Sequence, residues 1–404
     1  MSLRITGLGE EIGAVIGLPW ERPLEAWPED PLLAEKRGIS RHIVRLVRAD
    51  EEDPLSDVYA VKETVIEFAK REYRALTELK QLGAPSVEAV AVIEGRIDTE
   101  TGEELPCAIA TRFLPYSLPY RVLLTSSVSA HDINNMANAL AYLLVRLHLL
   151  GFWWGDCSLS NTLFRRDAEG FAAYLVDAET GEFQTKLSDG QREHDLEIAF
   201  FNVAAELEDL QLSGVLYEGM DPIRASEAVQ RRYRRLWSAL KEPQKLDPND
   251  RHAVERAMRQ LHDLGFAVEE VQVSLDNETH ALSFQPRLVA AGYHIAKIKE
   301  MFGLDTEELQ AKRILASFER WQARQTEKRS KEEMAKLWMA EVFNPIINMV
   351  PEELQGRVEP AQMFHEILEN RWFMTEKNGF DVGLINAAKA YIEEILPFRL
   401  DSGA

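Results

Sequence analysis

The sequence predicts an α+β protein: a small β-rich lobe, a helical lobe after it, and then a mainly helical C-terminal domain with one β-hairpin. Three observations carry this prediction. Residues 36–114 hold four short apolar or alternating runs around one stretch of helical spacing. Residues 115–218 reverse that balance, with two long helical segments and a short strand pair between them. Residues 219–404 keep helical periodicity almost throughout and break it once, between Val268 and Phe284.

Residues 1–35, with Pro19, Pro23, Pro28 and Pro31 among acidic and aromatic residues, read as an irregular leader on the surface. His42 to Val47 alternates and is β-branched. After an acidic turn from Asp50 to Asp57, Val58 to Lys62 forms the second strand of an antiparallel pair. Glu67 to Leu82 has helical spacing, with Phe68, Leu76, Leu79 and Leu82 on one side, and Gly83 with Pro85 closes it. Val87 to Ile93 and Cys107 to Phe113 are strand-like, joined by a polar hairpin around Thr101-Gly102. In the second lobe, Ile133 to Leu150 is a long apolar helix ended by Gly151. Two short strands follow, Thr162 to Phe164 and Phe171 to Val176, with Asp167 to Gly170 as their turn, and then a helix over Arg192 to Leu210. The C-terminal hairpin is predicted over Val268 to Leu275 and His280 to Phe284, turning at Asp276-Asn277.

Composition narrows the function. The 404 residues hold only two cysteines, Cys107 and Cys157, in no metal-ligand spacing, so neither a disulfide framework nor a zinc site is supported and a reducing cytoplasm is expected. The first residues lack a basic segment followed by an apolar one, which argues against a secretory signal. The most apolar stretch, Leu140 to Trp154, contains Arg146 and His148 and is too short to span a bilayer. A formal net charge of -21 repels phosphodiesters and anionic lipid, so nucleic acid is not expected as a partner.

The residues able to do chemistry stand in a fixed order. Lys62 ends the apolar run Val58-Tyr59-Ala60-Val61, and Glu72, in Arg71-Glu72-Tyr73, is its expected carboxylate partner ahead of Glu67. Asp156 and Asn161, spaced Asp-x-x-x-x-Asn, lie between the long apolar helix and the short strand at Thr162. Asp177 follows the buried strand Tyr174-Leu175-Val176. Phosphoryl transfer needs cation density on the phosphates, oxygen ligands for magnesium, and a carboxylate to orient and deprotonate the attacking hydroxyl. In the protein-kinase pattern these are supplied by Lys62 with Glu72, by Asn161 and Asp177, and by Asp156 respectively. Taken singly, Lys62 also fits a solvated strand cap, Asp156 to Asn161 a polar turn, and Asp177 a turn former. Their conjunction in one correct order selects the phosphotransferase reading. Around this nucleus, the backbone at Gly38 to Ser40, with Arg41 nearby, is expected to cradle phosphate, and the backbone at Arg112, Phe113 and Leu114 to receive adenine.

The run Trp-Gly-Asp-x-x-x-x-Asn ending at Asn161, the strand-ending Asp177, and Arg192-x-x-Asp195-Leu196 resemble the lipopolysaccharide core kinases over about residues 38–210. Over nearly its whole length the chain also resembles a bacterial family in which such a region is fused to a domain of unknown function. The resemblance implies a two-lobed protein-kinase-like fold, ATP with magnesium, and a hydroxyl of a small molecule, sugar, lipid or protein as acceptor. It also implies that Asp195 holds the backbone of the catalytic loop. Trp154 and Gly155 replace the usual His or Tyr and the Arg before the catalytic Asp, which favours a non-protein acceptor or an atypical protein kinase. Gly38 alone, where the kinase pattern has three glycines, and Trp154 leave open a pseudokinase that binds nucleotide as a scaffold. The C-terminal region is expected to form an acceptor platform or to mediate dimerisation.

Other features are assigned no chemistry. His365-Glu366 lacks the second histidine of a zinc helix. The basic run Arg231 to Arg235 reads as a solvated helix face, and Cys157 as packing.

Overall fold

In a computed structural model, the described residues are 2–7, 12–28, 43–49, 56–125, 130–216, 219–242, 244–246, 252–263, 266–275, 282–325 and 329–399. The chain divides into two compact units: the first takes in residues 1–165 and 173–233, the second Arg166–Ala172 and Arg234–Gly403. Among the described residues no helix is long and apolar enough to cross a membrane.

The first unit opens with a five-stranded antiparallel sheet in the order β1-β4-β5-β3-β2. Its strands are β1 (Arg4–Gly7), β2 (Val44–Arg48), β3 (Val58–Thr64), β4 (Ala89–Glu94) and β5 (Cys107–Arg112). The leader therefore differs from its sequence reading. Arg4 to Gly7 pairs with Ala91 to Glu94 as an edge strand, and Val15, Trp20, Leu24 and Trp27 are buried against Tyr59 and Val61. Prolines hide this arrangement from pattern reading, because the packing comes from isolated aromatics between turns and not from a periodic face. Arg96 pins the leader down: fully buried, it pairs with Glu63 at 2.6 Å and donates to the carbonyls of Trp20 and Arg22. Each large side chain buried this way contributes about 1.5–3 kcal/mol.

Strand β3 alternates strictly, so Tyr59 and Val61 face the leader while Ala60 and Lys62 face the opposite side. On that opposite side lies a helix, Ile66–Gln81, whose inward residues are Ala69, Glu72, Leu76 and Leu79. This stripe is rotated from the sequence reading, because Phe68 and Leu82 are exposed. The stripe runs through a glutamate, and a purely apolar count slides off it.

The remainder of the first unit is built on the helix Ala130–Leu149, whose Leu140, Leu143, Leu144 and Leu147 are fully buried. The chain leaves it at Gly151 with φ of 81°, where a Cβ would sit 2.2 Å from the Gln184 carbonyl oxygen, so only glycine fits. Phe152–Trp153 pairs with Glu182–Phe183, and Ser117–Pro119 pairs antiparallel with residues 163–165. A second long helix, Asp189–Leu212, starts at a capping box between Ser188 and Gln191. The basic run keeps an exposed helix face, on which Arg231 pairs with Glu227 and Arg232 donates to Asn134, while Tyr233 is buried.

The second unit has a three-stranded sheet of Gln244–Leu246, Phe266–Leu275 and Leu282–Ala291, so the predicted hairpin acquires a third strand; its turn at Asp276-Asn277 lies outside the described residues. Its helices pack around Trp338, which touches Phe302, Phe318, Phe343 and Phe364. Met339–Phe343 is a π-turn, just before Pro345, whose ring nitrogen has no proton to continue the α ladder. Ala168 holds a left-handed conformation, φ 53°, and its N–H and C=O are both hydrogen-bonded to Gln362, at 2.8 and 3.0 Å. Asp167 accepts from the Leu309 and Gln310 amides at the start of the helix Glu308–Gln322. His365 is buried in the helix Pro360–Asn378, away from any grouping of metal-ligating side chains among the described residues.

Candidate functional site

A cavity of about 420 Å³ in the first unit is lined by Lys62, Glu72, Asp156, Asn161 and Asp177 together. Its apolar walls include Val44, Ala60, Ile109, Leu163 and Val176; Tyr120, Arg121, Glu206 and Asp209 also line it. Alternation in β3 aims Lys62 into the cavity, and the helix face that buries Leu76 and Leu79 brings Glu72 opposite it.

The Lys62 ammonium lies 2.7 Å from Glu72, 3.0 Å from Asp177 and 3.6 Å from Glu179. Burial opposes its charge, but Glu72 and Asp177 outweigh that and hold the ammonium above the ordinary lysine range. Burial pushes the Glu72 carboxyl up to about 8, with Lys62 pulling against it and Asp177 adding to it. Carboxylate oxygens of Glu72, Asp177 and Glu179 lie within 4.8 Å of one another, and the Lys62 ammonium contacts all three. Asp177 and Glu179 with the Asn161 amide carbonyl form an all-oxygen donor set, which suits a hard cation such as magnesium and not zinc or copper.

Asp156 is held from two sides. Its Oδ2 accepts from the Asn161 amide nitrogen at 3.0 Å, and its Oδ1 from the Asn202 amide nitrogen at 3.1 Å. Because the Asn161 nitrogen is spent on Asp156, its carbonyl oxygen is the ligand atom it can offer. The Val176 N–H donates to the main-chain carbonyl of Asn161 at 3.1 Å, which ties the strand before Asp177 to the catalytic loop.

The loop itself hangs on buried side chains. Asp195, fully buried, accepts from the Trp154 and Gly155 amides at 2.8 and 2.7 Å. His148 Nε2 lies 2.9 Å from Asp195 and its Nδ1 2.6 Å from the Tyr233 hydroxyl. Burial lowers the His148 pKa, and the neutral ring satisfies both partners by donating from Nε2 and accepting at Nδ1. The Trp154 indole donates to the Asp177 carbonyl at 2.9 Å, so this unusual residue couples the loop to the Asp177 segment. Gly155 has φ of 76°, which accounts for glycine before Asp156.

Some expected residues stand elsewhere. Arg112, Phe113 and Leu114 are not among the residues lining the cavity. The Arg112 amide donates to Glu88 and the Phe113 amide to Val58, so both are committed to the lobe's own backbone. Gly38 and Ser40 lie outside the described residues, as does Arg41. Sequence reasoning missed Glu179, Asn202 and Glu206. Glu179 was findable as a second carboxylate two positions after Asp177, whereas nothing local marks Asn202 in the middle of a helix.

Residues 56–214 match the lipopolysaccharide kinase (Kdo/WaaP) family. The matched span contains Lys62, Asp156, Asn161 and Asp177, so this part of the chain is kinase-like, and the match suggests a phosphotransferase. Residues 235–396 match a domain of unknown function, DUF4032. Together these establish a kinase-like region fused to that domain. A solved structure described as "WaaP in complex with acyl carrier protein" matches with 17% identity and a TM-score of 0.36, over 65% of this chain and 99% of its own. No curated protein matches.

Proposed function

We propose that the first unit is an ATP- and magnesium-dependent phosphotransferase acting on a hydroxyl of a small molecule, sugar, lipid or protein. The observation that supports it most is the convergence of Lys62 and Asp177, 115 positions apart, with Asp156 and Asn161 in one cavity. The charge balance of that cavity points the same way. Among the described residues that line it, Lys62 and Arg121 face Glu72, Asp156, Asp177, Glu179, Glu206 and Asp209, two cations against six carboxyls, which favours a triphosphate entering with divalent cations.

In this reading the base lies between the walls of Val44, Ala60, Leu163 and Val176, and the phosphates run toward Lys62. Glu72 keeps Lys62 extended toward them. Asn161 and Asp177, with Glu179 beside them, would hold magnesium, which supplies charge neutralisation on the phosphates. Asp156 accepts the acceptor's hydroxyl proton as its oxygen bonds to the γ-phosphorus, and the bond from that phosphorus to the β-γ bridging oxygen breaks to release ADP. Free cysteines, one of them fully buried, agree with a reducing cytoplasm.

The test is turnover of γ-labelled ATP with magnesium. Asp156→Asn keeps the shape and removes the base, and a loss of about 10²- to 10⁴-fold is expected. Equal turnover by both proteins would instead favour a nucleotide-binding scaffold.

A further inference from the structure

The helix Asp189–Leu212 presents three side chains to the catalytic loop from one face. Asp195, Asn202 and Glu206 are spaced by two turns and then one turn, the i, i+7, i+11 pattern of a single stripe. They take the loop in order. Asp195 holds the amides of Trp154 and Gly155. Asn202 donates to Asp156 Oδ1 at 3.1 Å and to the Cys157 carbonyl at 3.2 Å. Glu206 accepts from the amides of Leu159 and Ser160 at 2.8 and 2.9 Å. The helix acts as a ruler along the loop, and only its middle mark touches the carboxylate that carries the chemistry.

The geometry points to Asn202 as the positioning residue for Asp156, a role that rests on Asp156 being the base. Asp156 has one amide donor on each oxygen, Asn161 on Oδ2 and Asn202 on Oδ1. Each oxygen retains a second lone pair, so the carboxylate stays available to a hydroxyl while its rotation about the Cβ–Cγ bond is fixed. The chemistry of the donor matters too. A lysine or arginine in this place would form a charge-assisted bond and hold the carboxylate's charge for itself. A neutral amide fixes direction and leaves basicity. The second bond, to the Cys157 carbonyl, anchors the amide plane, so the nitrogen faces the loop and the side chain does not swing toward the cavity it lines.

The experiment measures single-turnover transfer from γ-labelled ATP with magnesium and, separately, nucleotide affinity by calorimetry, on the full-length chain. Wild type and Asp156→Asn set the window. Asn202→Ala is expected to slow transfer by about 10- to 100-fold, the scale on which small misplacement of a reacting group acts, with ATP affinity unchanged. Asn202→Asp, nearly isosteric, puts a like charge against Asp156 and is expected to be slower still. Asn202→Ser, which keeps a donor, is expected to recover part of the rate. A folded Asn202→Ala that transfers at the wild-type rate overturns the role, as does parallel loss of rate and affinity, which would make Asn202 a scaffold residue only. If wild type and Asp156→Asn are indistinguishable, the base assignment fails first and Asn202 falls with it. Should Asn202→Ala fail to fold, the Asn202→Ser and Asn202→Asp pair still decides, since equal rates in those two would contradict positioning by a donor.

Discussion

Buried carboxyl groups occur in both units, and the two sets are treated differently. In the second unit Glu366 accepts from the Tyr391 hydroxyl at 2.8 Å, from Arg399 at 2.7 Å and from the Gln362 amide at 3.0 Å. Asp167 takes two backbone amides, and Glu308 takes both the His294 ring and its amide. Each is answered by its own donors. In the first unit Glu72, Asp177 and Glu179 crowd within 4.8 Å of one another beside Lys62. Carboxyl oxygens gathered this closely make a donor set for a cation, while a carboxyl met by hydrogen-bond donors of its own serves the fold.

The contrast can be broken by substitution. The largest expected effect is Asp177→Ala, which removes a ligand from the crowded carboxyl set and should abolish magnesium-dependent ATP binding with little change in thermal midpoint. Glu366→Ala is the mirror image. It strips a buried carboxylate from Tyr391 and Arg399 and should cost about 3 kcal/mol of stability, measured by denaturant unfolding, with nucleotide affinity retained by molecules that remain folded. If Glu366→Ala instead lost nucleotide at full stability, the division of labour between the two sets would be wrong.

A pH series sharpens the same comparison. The Glu72 carboxyl is raised from 4.5 to about 8, so the folded protein binds a proton there that the unfolded chain has released. The stability this contributes is fully present below about 4.5 and is lost as pH rises through about 8. Wild type should therefore lose stability relative to Glu72→Gln across that window, and a pH-independent difference would remove the burial argument. The smallest effect belongs to Arg231→Ala. Its partner Glu227 lies on an exposed helix face, and such pairs are worth about 0.3–0.5 kcal/mol.

Legibility in the sequence followed the range of the forces involved. Lys62, Asp156, Asn161 and Asp177 were readable because each follows an apolar strand run or lies in a tight loop whose signals lie within a few residues. Glu72 was readable by its distance after Lys62, although the helix face was misjudged through Phe68 and Leu82, which turn outward. Asn202 and Glu206 were not readable, because their partners lie 45 or more positions earlier, and a mid-helix asparagine looks the same whether it meets solvent or Asp156. The leader failed for a similar reason: Trp20 and Arg96 recognise each other across 76 positions, with no periodicity to announce it. The adenine-side backbone was placed by analogy at Arg112 to Leu114, and the register of β5 with its neighbours spends the first two of those amides elsewhere.

Calorimetric titration of ATP into the purified chain, with magnesium and again with excess chelator, tests the central claim most directly. The account predicts binding at a single site that requires magnesium and disappears in both Lys62→Ala and Asp177→Ala. Binding of equal strength without the metal, or undiminished in both variants, would contradict it.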